Sequence, residues 1–463
     1  MISRKNIILV VACTAVFFEA LDIAIINLAM PIIQKQFAIP ASGVHWSQTV
    51  YILLYGGFLT AGGKLSDLFG RKRIFLIGAS LFLITSLGAG LSPEFYMLVA
   101  FRGLQGLAAA LVMPAALSII TNTFTQEQER SRAIGIFSSF AAIGSGCGLS
   151  LGGIIATTAG WQWIFFINIP VIAITLWAGS QYINKDTDWH PKTIPDVFAG
   201  VLLTSILLLT SFLIHVMGNI QSGGVLPISL AAGIVAAAIL FVQRSRKQKN
   251  PLIDKSILDS RTTRTGIGAT LLMGAFFTGY LFLIPIVFQS NMNYSAATTG
   301  LFLFPFSILS ALTGKFLMPV LLRKWSVMQS AVLGMSLMVL GGIILLSSII
   351  MNYPLLLVLL SLASVTGLGI AISFTSLMVM SVQAIPVEQH GVATGLVSTA
   401  YFLGGGLGLS LLSVFLPSAQ GVLGINNTSV FILTMYAVTG VLLLLGVIKA
   451  YTTAESTFDV VRN

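Results

Sequence analysis

Two acidic residues, Glu19 and Asp22, lie in an apolar run that begins at Ile7 and has no other charge before Lys35. Their spacing of three places both carboxyls on one face of a helix. An acid such as Asp costs about 2.5 to 3.5 kcal/mol at the centre of a membrane helix, so a lipid-facing position is unfavourable. Burial and a neighbouring acid both favour the protonated form of a carboxyl. The pair is therefore suited to exchange protons near neutral pH.

One basic residue, Arg102 in the stretch RGLQGLAAA, also lies inside an apolar segment. A buried arginine is costly unless it pairs with an acid or faces water. Its possible partners are Glu19 and Asp22, because no other acid lies well inside an apolar segment. Three interpretations stay open at this point: a fixed ion pair, a part in proton transfer, or a side chain that reaches to the membrane interface.

The segments that position these residues are membrane helices. The chain has 463 residues, of which 56% are hydrophobic and only 8% are charged, and its apolar stretches are long enough to cross a bilayer as helices. They are continuously apolar, whereas a barrel needs alternating polar and apolar residues. The sequence predicts an all-α integral membrane protein with fourteen spans, which start at Ile7, Val44, Ile74, Phe95, Ala133, Trp163, Pro195, Val225, Gly266, Ala297, Val327, Pro354, Val392 and Ser429.

The basic residues indicate the orientation of these spans. All Lys and Arg except Lys35 and Arg102 fall at the two termini or at the ends of spans on one side. Because positive charge in short loops stays on the cytoplasmic side, both termini are expected in the cytoplasm. The net charge of +10 thus reports membrane topology and contact with anionic lipid, and no nucleic-acid partner is expected.

Several other kinds of site are excluded because the sequence lacks the motifs that they require. Cys13 and Cys147 both fall within spans, which supports neither a disulfide framework nor a zinc site. The four histidines form no HExxH motif and no recognisable triad. The stretch GGKLSD at 62–67 lacks the first glycine and the Ser or Thr of a phosphate-binding loop. We therefore expect no enzyme, no metal and no cofactor, with a proton gradient or the gradient of the substrate itself as the energy source.

An internal repeat divides the chain into two halves. The stretch from Ala133 matches the stretch from Ala393 in constant register, including Gly144 with Gly404 and Gly148 with Gly408. Two related bundles that face each other across a central site are a transporter architecture. The offset indicates two helices inserted between six-helix halves. The predicted parts are an N-terminal bundle at 1–184, the inserted helices at 185–243, a basic cytoplasmic connector at 244–265, and a C-terminal bundle with a tail at 266–463.

Four motifs give the chain a family resemblance. GKLSDLFGRKR at 63–73 resembles the signature loop of the major facilitator superfamily. LDIAIINLAMP at 21–31, RGLQGLAAA at 102–110 and WQWIFFINIP at 161–170 are similar to motifs of its fourteen-helix drug:proton antiporter branch. The resemblance implies a major facilitator fold of two pseudo-symmetric six-helix bundles with two additional central helices. The chain departs from the usual pattern of the branch at three positions. It has Leu68 where a basic residue is usual, Leu149 where a proline is usual and Gln162 where an arginine is usual.

The resemblance and the residue chemistry together give four sets of candidate site residues. The resemblance places proton coupling at Asp22 and gives Arg102 a part in it, whereas Glu19 lies outside the motif and is added from its chemistry. Gly144, Gly148 and Gly152 of the fifth helix recur every fourth residue, which makes a smooth face for close packing, whereas the resemblance implies a seal against proton leak or a moving contact. Asp67 in the loop is expected either to pair with Arg130 or Arg132, which would hold one conformation, or to accept hydrogen bonds from the amides of a helix end. The sets are: proton coupling, Asp22, Glu19 and Arg102; substrate binding, Glu19, Asp22, Asn27 and Gln105; the loop motif, Gly63, Asp67, Gly70, Arg71, Lys72 and Arg130; the fifth-helix motif, Gly144, Gly148, Gly152 and Gly153.

The function predicted from these observations is proton-coupled multidrug efflux by alternating access. The expected cargo is a lipophilic, cationic small molecule, and the expected setting is a monomer in the bacterial cytoplasmic membrane. Two alternatives stay open. The same fold could serve a proton symporter or a facilitated transporter of a metabolite, since a fold does not fix direction. A membrane receptor or enzyme scaffold is the alternative from another class.

Overall fold

A computed structural model describes the chain over residues 3–184, 196–218, 225–248, 259–383, 385, 390–416, 418–419, 422–423 and 425–462. These residues form eighteen α-helices and one short hairpin of two-residue strands. The elements are α1 Arg4–Phe37, α2 Ala41–Val44, α3 Trp46–Phe69, α4 Arg71–Gly90, α5 Phe95–Thr123, α6 Glu127–Thr158, α7 Trp163–Phe166, α8 Asn168–Tyr182, α9 Val197–Gly218, α10 Val225–Lys247, α11 Arg261–Ile286, α12 Ala296–Leu312, α13 Met318–Lys324, α14 Val327–Ile350, α15 Leu355–Leu362, α16 Ile370–Val382, α17 His390–Val414, β1 Ser418–Ala419, β2 Val422–Leu423 and α18 Asn427–Arg462.

Every predicted span coincides with a helix or with helices joined end to end. Single π-helical segments extend α11, join α12 to α13, and join α15 to α16. Thirteen helical stretches of the described chain are long and apolar enough to cross a membrane. The remaining predicted span, α3, has 24 residues but carries polar side chains such as Gln48, Tyr51 and Tyr55, all of them buried. The predicted all-α membrane fold is confirmed.

The helices group into two compact units. Each unit draws on more than one stretch of the chain, because residues 281–307 and 409–425 group with the N-terminal helices. The predicted division into bundles and inserted helices stays a prediction, since the units group residues by contact. Over their described residues, the first unit comprises Met1–Leu252, Leu281–Ser307 and Leu409–Ile425, and the second comprises Ile253–Tyr280, Ile308–Gly408 and Asn426–Asn463.

Glycines of α6 lie directly against α1 in the first unit. A Cβ atom added at Gly148 would lie 2.6 Å from the carbonyl oxygen of Leu21, and one at Gly152 would lie 2.6 Å from that of Ile25. Gly144 faces the backbone of α1 one turn earlier. Small residues allow such backbone contact, which supplies van der Waals packing that lipid cannot replace. This packing fixes the rotation of α1 and thereby the direction of its two acids.

The second unit contains the repeated counterpart of this contact. Gly404 and Gly408 of α17 lie against Leu271 and Ala275 of α11. The two pairs of helices therefore use glycines at matching positions, as the sequence repeat indicates. On α11, however, the next turn carries Phe276 and Tyr280, whose rings stack with centroids 5.9 Å apart. The repeat thus preserves helix packing but not the acidic residues of α1.

The two inserted helices form a hairpin that packs on α3. Ala199 at the start of α9 contacts Ala61, and Thr204 lies against Gly57. At the same end of the hairpin, Arg244 of α10 donates from Nε to both carboxylate oxygens of Asp196, at 2.7 and 2.9 Å. Asp196 Oδ1 also accepts from the backbone N–H of Ala199 at 3.1 Å, which caps the first turn of α9.

Candidate functional site

An ion pair between Asp22 of α1 and Arg102 of α5 lies at the centre of the N-terminal helices. Arg102 Nη1 donates to Asp22 Oδ2, and neither side chain has any exposed surface. Arg102 Nε also donates to the carbonyl oxygen of Ser47 at 3.2 Å. Breaking a buried pair leaves an uncompensated charge, so the two residues hold α1 and α5 together.

Two amide side chains complete the surroundings of the Asp22 carboxylate. Gln105 Nε2 donates to Asp22 Oδ1 at 3.1 Å, and Asn168 Nδ2 donates to the same oxygen at 3.0 Å. Gln105 also accepts from Arg102 Nη1 at 2.7 Å and donates to Ser86 Oγ at 2.8 Å. The carboxylate thus receives donors from α5 and α8. Hydrogen bonding of this kind stabilises a buried charge.

Two tyrosines of α3 connect the ion pair to Glu19. The Arg102 guanidinium lies 4.2 Å from the ring centroid of Tyr51, a cation–π distance. The Tyr55 hydroxyl hydrogen-bonds the Glu19 carboxyl group. The two rings touch edge to face with centroids 6.1 Å apart. Glu19 and Asp22, one turn apart on α1, therefore have different partners.

Glu19 also borders a small pocket between α1, α4, α5 and α8. Apart from Thr175, whose hydroxyl donates to its own helix, the other lining residues are apolar, among them Phe82 and Ile172. The cavity has a volume of about 20 Å³. That is room for one water molecule. Glu19 is 6% exposed, whereas Asp22 is 0% exposed.

The structure brings most of the predicted coupling and binding residues together. Glu19, Asp22, Arg102 and Gln105 all belong to this cluster. Asn27 does not, because its amide donates to the carbonyl of Ala24 in its own helix at 3.2 Å. Asp22 itself has no exposed surface, because donors from three side chains enclose its carboxylate.

Sequence reasoning missed three residues of the cluster, namely Tyr51, Tyr55 and Asn168. The sequence nevertheless contains a feature that could have pointed to each of them. Asn168 is the one amide in the apolar stretch IFFINIP, and the tyrosines recur four apart in a predicted span, on one helix face. Tyrosine and asparagine occur widely in membrane helices, so the spacing alone does not separate them from ordinary packing residues.

The predicted loop motif lies at the junction of α3 and α4. Gly70 has a φ of 92°, a conformation that favours glycine, and it separates the two helices. Arg71 Nε lies 3.9 Å from Asp67 Oδ1. Lys72 Nζ donates to the carbonyl oxygens of Ser180 and Ile183 at 2.6 and 2.8 Å, at the end of α8. Gly63 packs near Pro114, and Arg130 is exposed at the start of α6.

Contacts near the predicted outer ends of the helices tie later parts of the chain to the N-terminal helices within the first unit. Gly153 of α6 meets the backbone of Ala296 at the start of α12, and a Cβ at Gly300 would lie 2.6 Å from the carbonyl oxygen of Ser150. The hydroxyls of Ser211 in α9 and Ser410 in α17 form a hydrogen bond. These contacts join α6 to α12 and α9 to α17.

The described part of the chain contains no group of three His, Cys, Asp or Glu side chains placed to hold a metal ion. The charged cluster instead consists of two acids and one arginine, supported by neutral donors. Such a cluster can hold a proton or compensate a cation.

Comparisons with known proteins show which family the chain belongs to. The Major Facilitator Superfamily model matches residues 12–409. The multidrug resistance protein Stp of Mycobacterium tuberculosis is 31% identical over 410 residues, covering 87% of this chain and 74% of Stp. The lincomycin resistance protein of Streptomyces lincolnensis is 31% identical over 396 residues, covering 85% of this chain and 80% of that protein.

The fold comparison agrees with the sequence comparison. The crystal structure of the POT family transporter PepTSo matches with a TM-score of 0.71 at 15% identity, covering 97% of this chain and 98% of that one. This likeness concerns the fold. With the family model matched over most of its length, the chain is a multi-pass membrane transporter that belongs to the major facilitator superfamily.

Proposed function

We propose that the protein exports lipophilic, cationic small molecules across the bacterial cytoplasmic membrane in exchange for protons, acting as a monomer with both termini in the cytoplasm. The observation that carries the proposal is the fully buried Asp22–Arg102 pair with a second buried acid, Glu19, one turn away. Ionisable residues inside a membrane protein are expensive, and they mark the paths of ions and protons.

The charge of the cluster supports exchange. With both acids ionised, Glu19, Asp22 and Arg102 together carry one uncompensated negative charge. A proton neutralises that charge, and so does a nearby cationic cargo. Electrostatic interactions are strong where water is excluded. Once a proton or a cation has neutralised the negative charge, the cluster therefore attracts the other occupant much less strongly. Outward movement of a cationic drug is then linked to inward movement of a proton, as alternating access requires.

The relatives support a drug as the cargo. Stp is named as a multidrug resistance protein, and the Streptomyces protein is named for resistance to lincomycin. An apolar interior rich in aromatic residues suits lipophilic compounds, and the chain has 30 Phe. Since the second half carries no buried acid at the positions that match Glu19 and Asp22, a single positive charge on the cargo is favoured over two.

Everted membrane vesicles with a preformed, acid-inside pH gradient test the proposal. Addition of the monovalent lipophilic cation ethidium should dissipate the gradient and carry ethidium into the lumen in vesicles with the wild-type chain. Asp22→Asn should abolish both responses, whereas Glu94→Gln, which changes an exposed acid at the start of α5, should leave them intact. Ethidium movement with no effect on the gradient would contradict proton exchange. Proton-driven accumulation of a metabolite in right-side-out vesicles would support the symport alternative instead.

A further inference from the structure

The two acids of α1 differ in how strongly their surroundings hold the charged form. Asp22 accepts from Arg102, Gln105 and Asn168, and both of its oxygens are occupied. A proton taken up there competes with the donors from Arg102, Gln105 and Asn168. Glu19 has the Tyr55 hydroxyl as a hydrogen-bond partner and no arginine in contact among the described residues.

From this difference we propose that Glu19 is the carboxyl that exchanges its proton with water, and that water reaches it through the pocket between α1, α4, α5 and α8. Asp22 then remains the permanent counter-charge of Arg102. The inference deepens the proposed function and rests on it. It concerns a residue outside the motif that resembles the drug:proton antiporters, since that motif contributes Asp22.

The size and lining of the pocket determine what can use it. A cavity of about 20 Å³ is too small for a drug and large enough for one water molecule, and Glu19 is the lining residue that offers this water a carboxyl partner. The pocket is lined by the four N-terminal helices alone, and Glu19 is its one acidic lining residue. The proton therefore travels apart from the cargo. Drug and proton act on each other through the charge of the cluster, without occupying the same atoms.

The groups that face Glu19 define how its protonation is transmitted. Tyr51 and Tyr55 of α3 face Glu19, and Asp22 lies on the same helix as Glu19, α1. Arg102, which belongs to α5, lies beyond Asp22. The residues that α4 and α8 contribute to the pocket are not titratable. A change of charge at Glu19 is therefore transmitted through Tyr55 and Tyr51 to the Arg102 guanidinium, and so to the pair that joins α1 and α5.

Infrared difference spectroscopy on the purified, reconstituted protein tests the inference without any transported substrate. Lowering the pH from alkaline to acid should produce the carbonyl stretching band of a protonated carboxyl in an apolar setting, and the band should shift when water is replaced by D₂O. Glu19→Gln should abolish the band, whereas Asp22→Asn should retain it. A band that persists in Glu19→Gln and is lost in Asp22→Asn would overturn the inference. Absence of any such band in the wild-type protein would overturn it too.

The water route is tested by filling the pocket. Thr175→Leu adds bulk to a buried lining position, and Ala173→Leu adds bulk on the exposed side of the same helix as a matched control. Thr175→Leu should prevent the D₂O shift of the Glu19 band within the time in which the wild-type protein and Ala173→Leu complete it. An unchanged exchange rate in a folded Thr175→Leu protein would overturn the route. A negative result in the infrared test or in the pocket-filling test would overturn this inference alone. The exchange of ethidium for protons is tested independently, in the vesicle experiment.

Discussion

Arg102 of α5 donates from Nη1 to Oδ2 of Asp22 in α1, across 80 positions of sequence, and both side chains are completely buried. The same guanidinium nitrogen also donates to Gln105, so that the arginine and the amide both hold the carboxylate. The pair fixes the packing of two helices. Under the proposal that Glu19 exchanges the proton, it also keeps Asp22 as the permanent counter-charge of Arg102.

The first prediction concerns the stability of this pair. Arg102→Gln leaves Asp22 as a buried and unpaired charge, which costs about 3 to 5 kcal/mol. We expect a marked fall in the apparent unfolding temperature of the purified protein in detergent. The double variant Asp22→Asn with Arg102→Gln removes both charges and should recover much of the loss. Equal unfolding temperatures for the single and double variants would contradict a direct coupling.

The second prediction concerns the glycine face of α6. Gly148→Val places a branched side chain against the Leu21 carbonyl of α1 and should destabilise the protein by about 1 to 3 kcal/mol or more. Gly135→Val on the same helix is the matched control, because a Cβ at Gly135 meets no described atom within 4 Å. Unfolding temperatures in detergent compare the two variants. Similar losses in both would indicate that helix propensity, and not the α1 contact, sets the effect.

The third prediction concerns the contact between Ser211 and Ser410. Cysteines at both positions, with Cys13 and Cys147 replaced by alanine, should form a disulfide on mild oxidation because the two side chains touch. The bond prevents α9 from leaving α17, so ethidium transport in vesicles should stop and should return after reduction. Phe212→Cys with Ser410→Cys is the control and should cross-link poorly, since residue 212 lies about 100° further around the helix. Full transport by the cross-linked protein would show that this contact need not open.

The fourth prediction concerns the inserted hairpin. Arg244→Gln removes the ionic partner of Asp196, whose side chain is 1% exposed. The hydrogen bonds of a charged pair contribute about 1.5 to 3 kcal/mol, and the 40% exposure of Arg244 places the expected loss at the lower end. Arg246→Gln is the control, because Arg246 is an exposed arginine at the same end of α10. A lower unfolding temperature for Arg244→Gln alone is the expected result, and equal values for both variants would contradict it.

The membrane fold was accessible from the sequence because its signals are local. A continuous apolar stretch must become a helix in lipid, where every backbone hydrogen bond has to be made within the segment. All predicted spans therefore correspond to helices, and α3 shows the limit of the signal. Its buried Gln48, Tyr51 and Tyr55 lower the apolar character of a helix that lies beside the charged cluster.

The repeat in α6 and α17 was equally visible, since glycines at a spacing of four form one face whatever the partner is. Which helix occupies that face was not visible. The structure places α1 against Gly148 and α11 against Gly408. The choice depends on the packing of whole helices, which the spacing of glycines along one helix does not specify.

The sequence by itself determined that Glu19, Asp22 and Arg102 lie inside the membrane bundle, because leaving them in lipid is too costly. Only the tertiary structure decided that Arg102 takes Asp22 and that Glu19 is left with Tyr55 and a space for one water molecule. The physical reason is that burial follows from composition, whereas the choice between two acids one turn apart depends on the relative rotation of α1, α3 and α5.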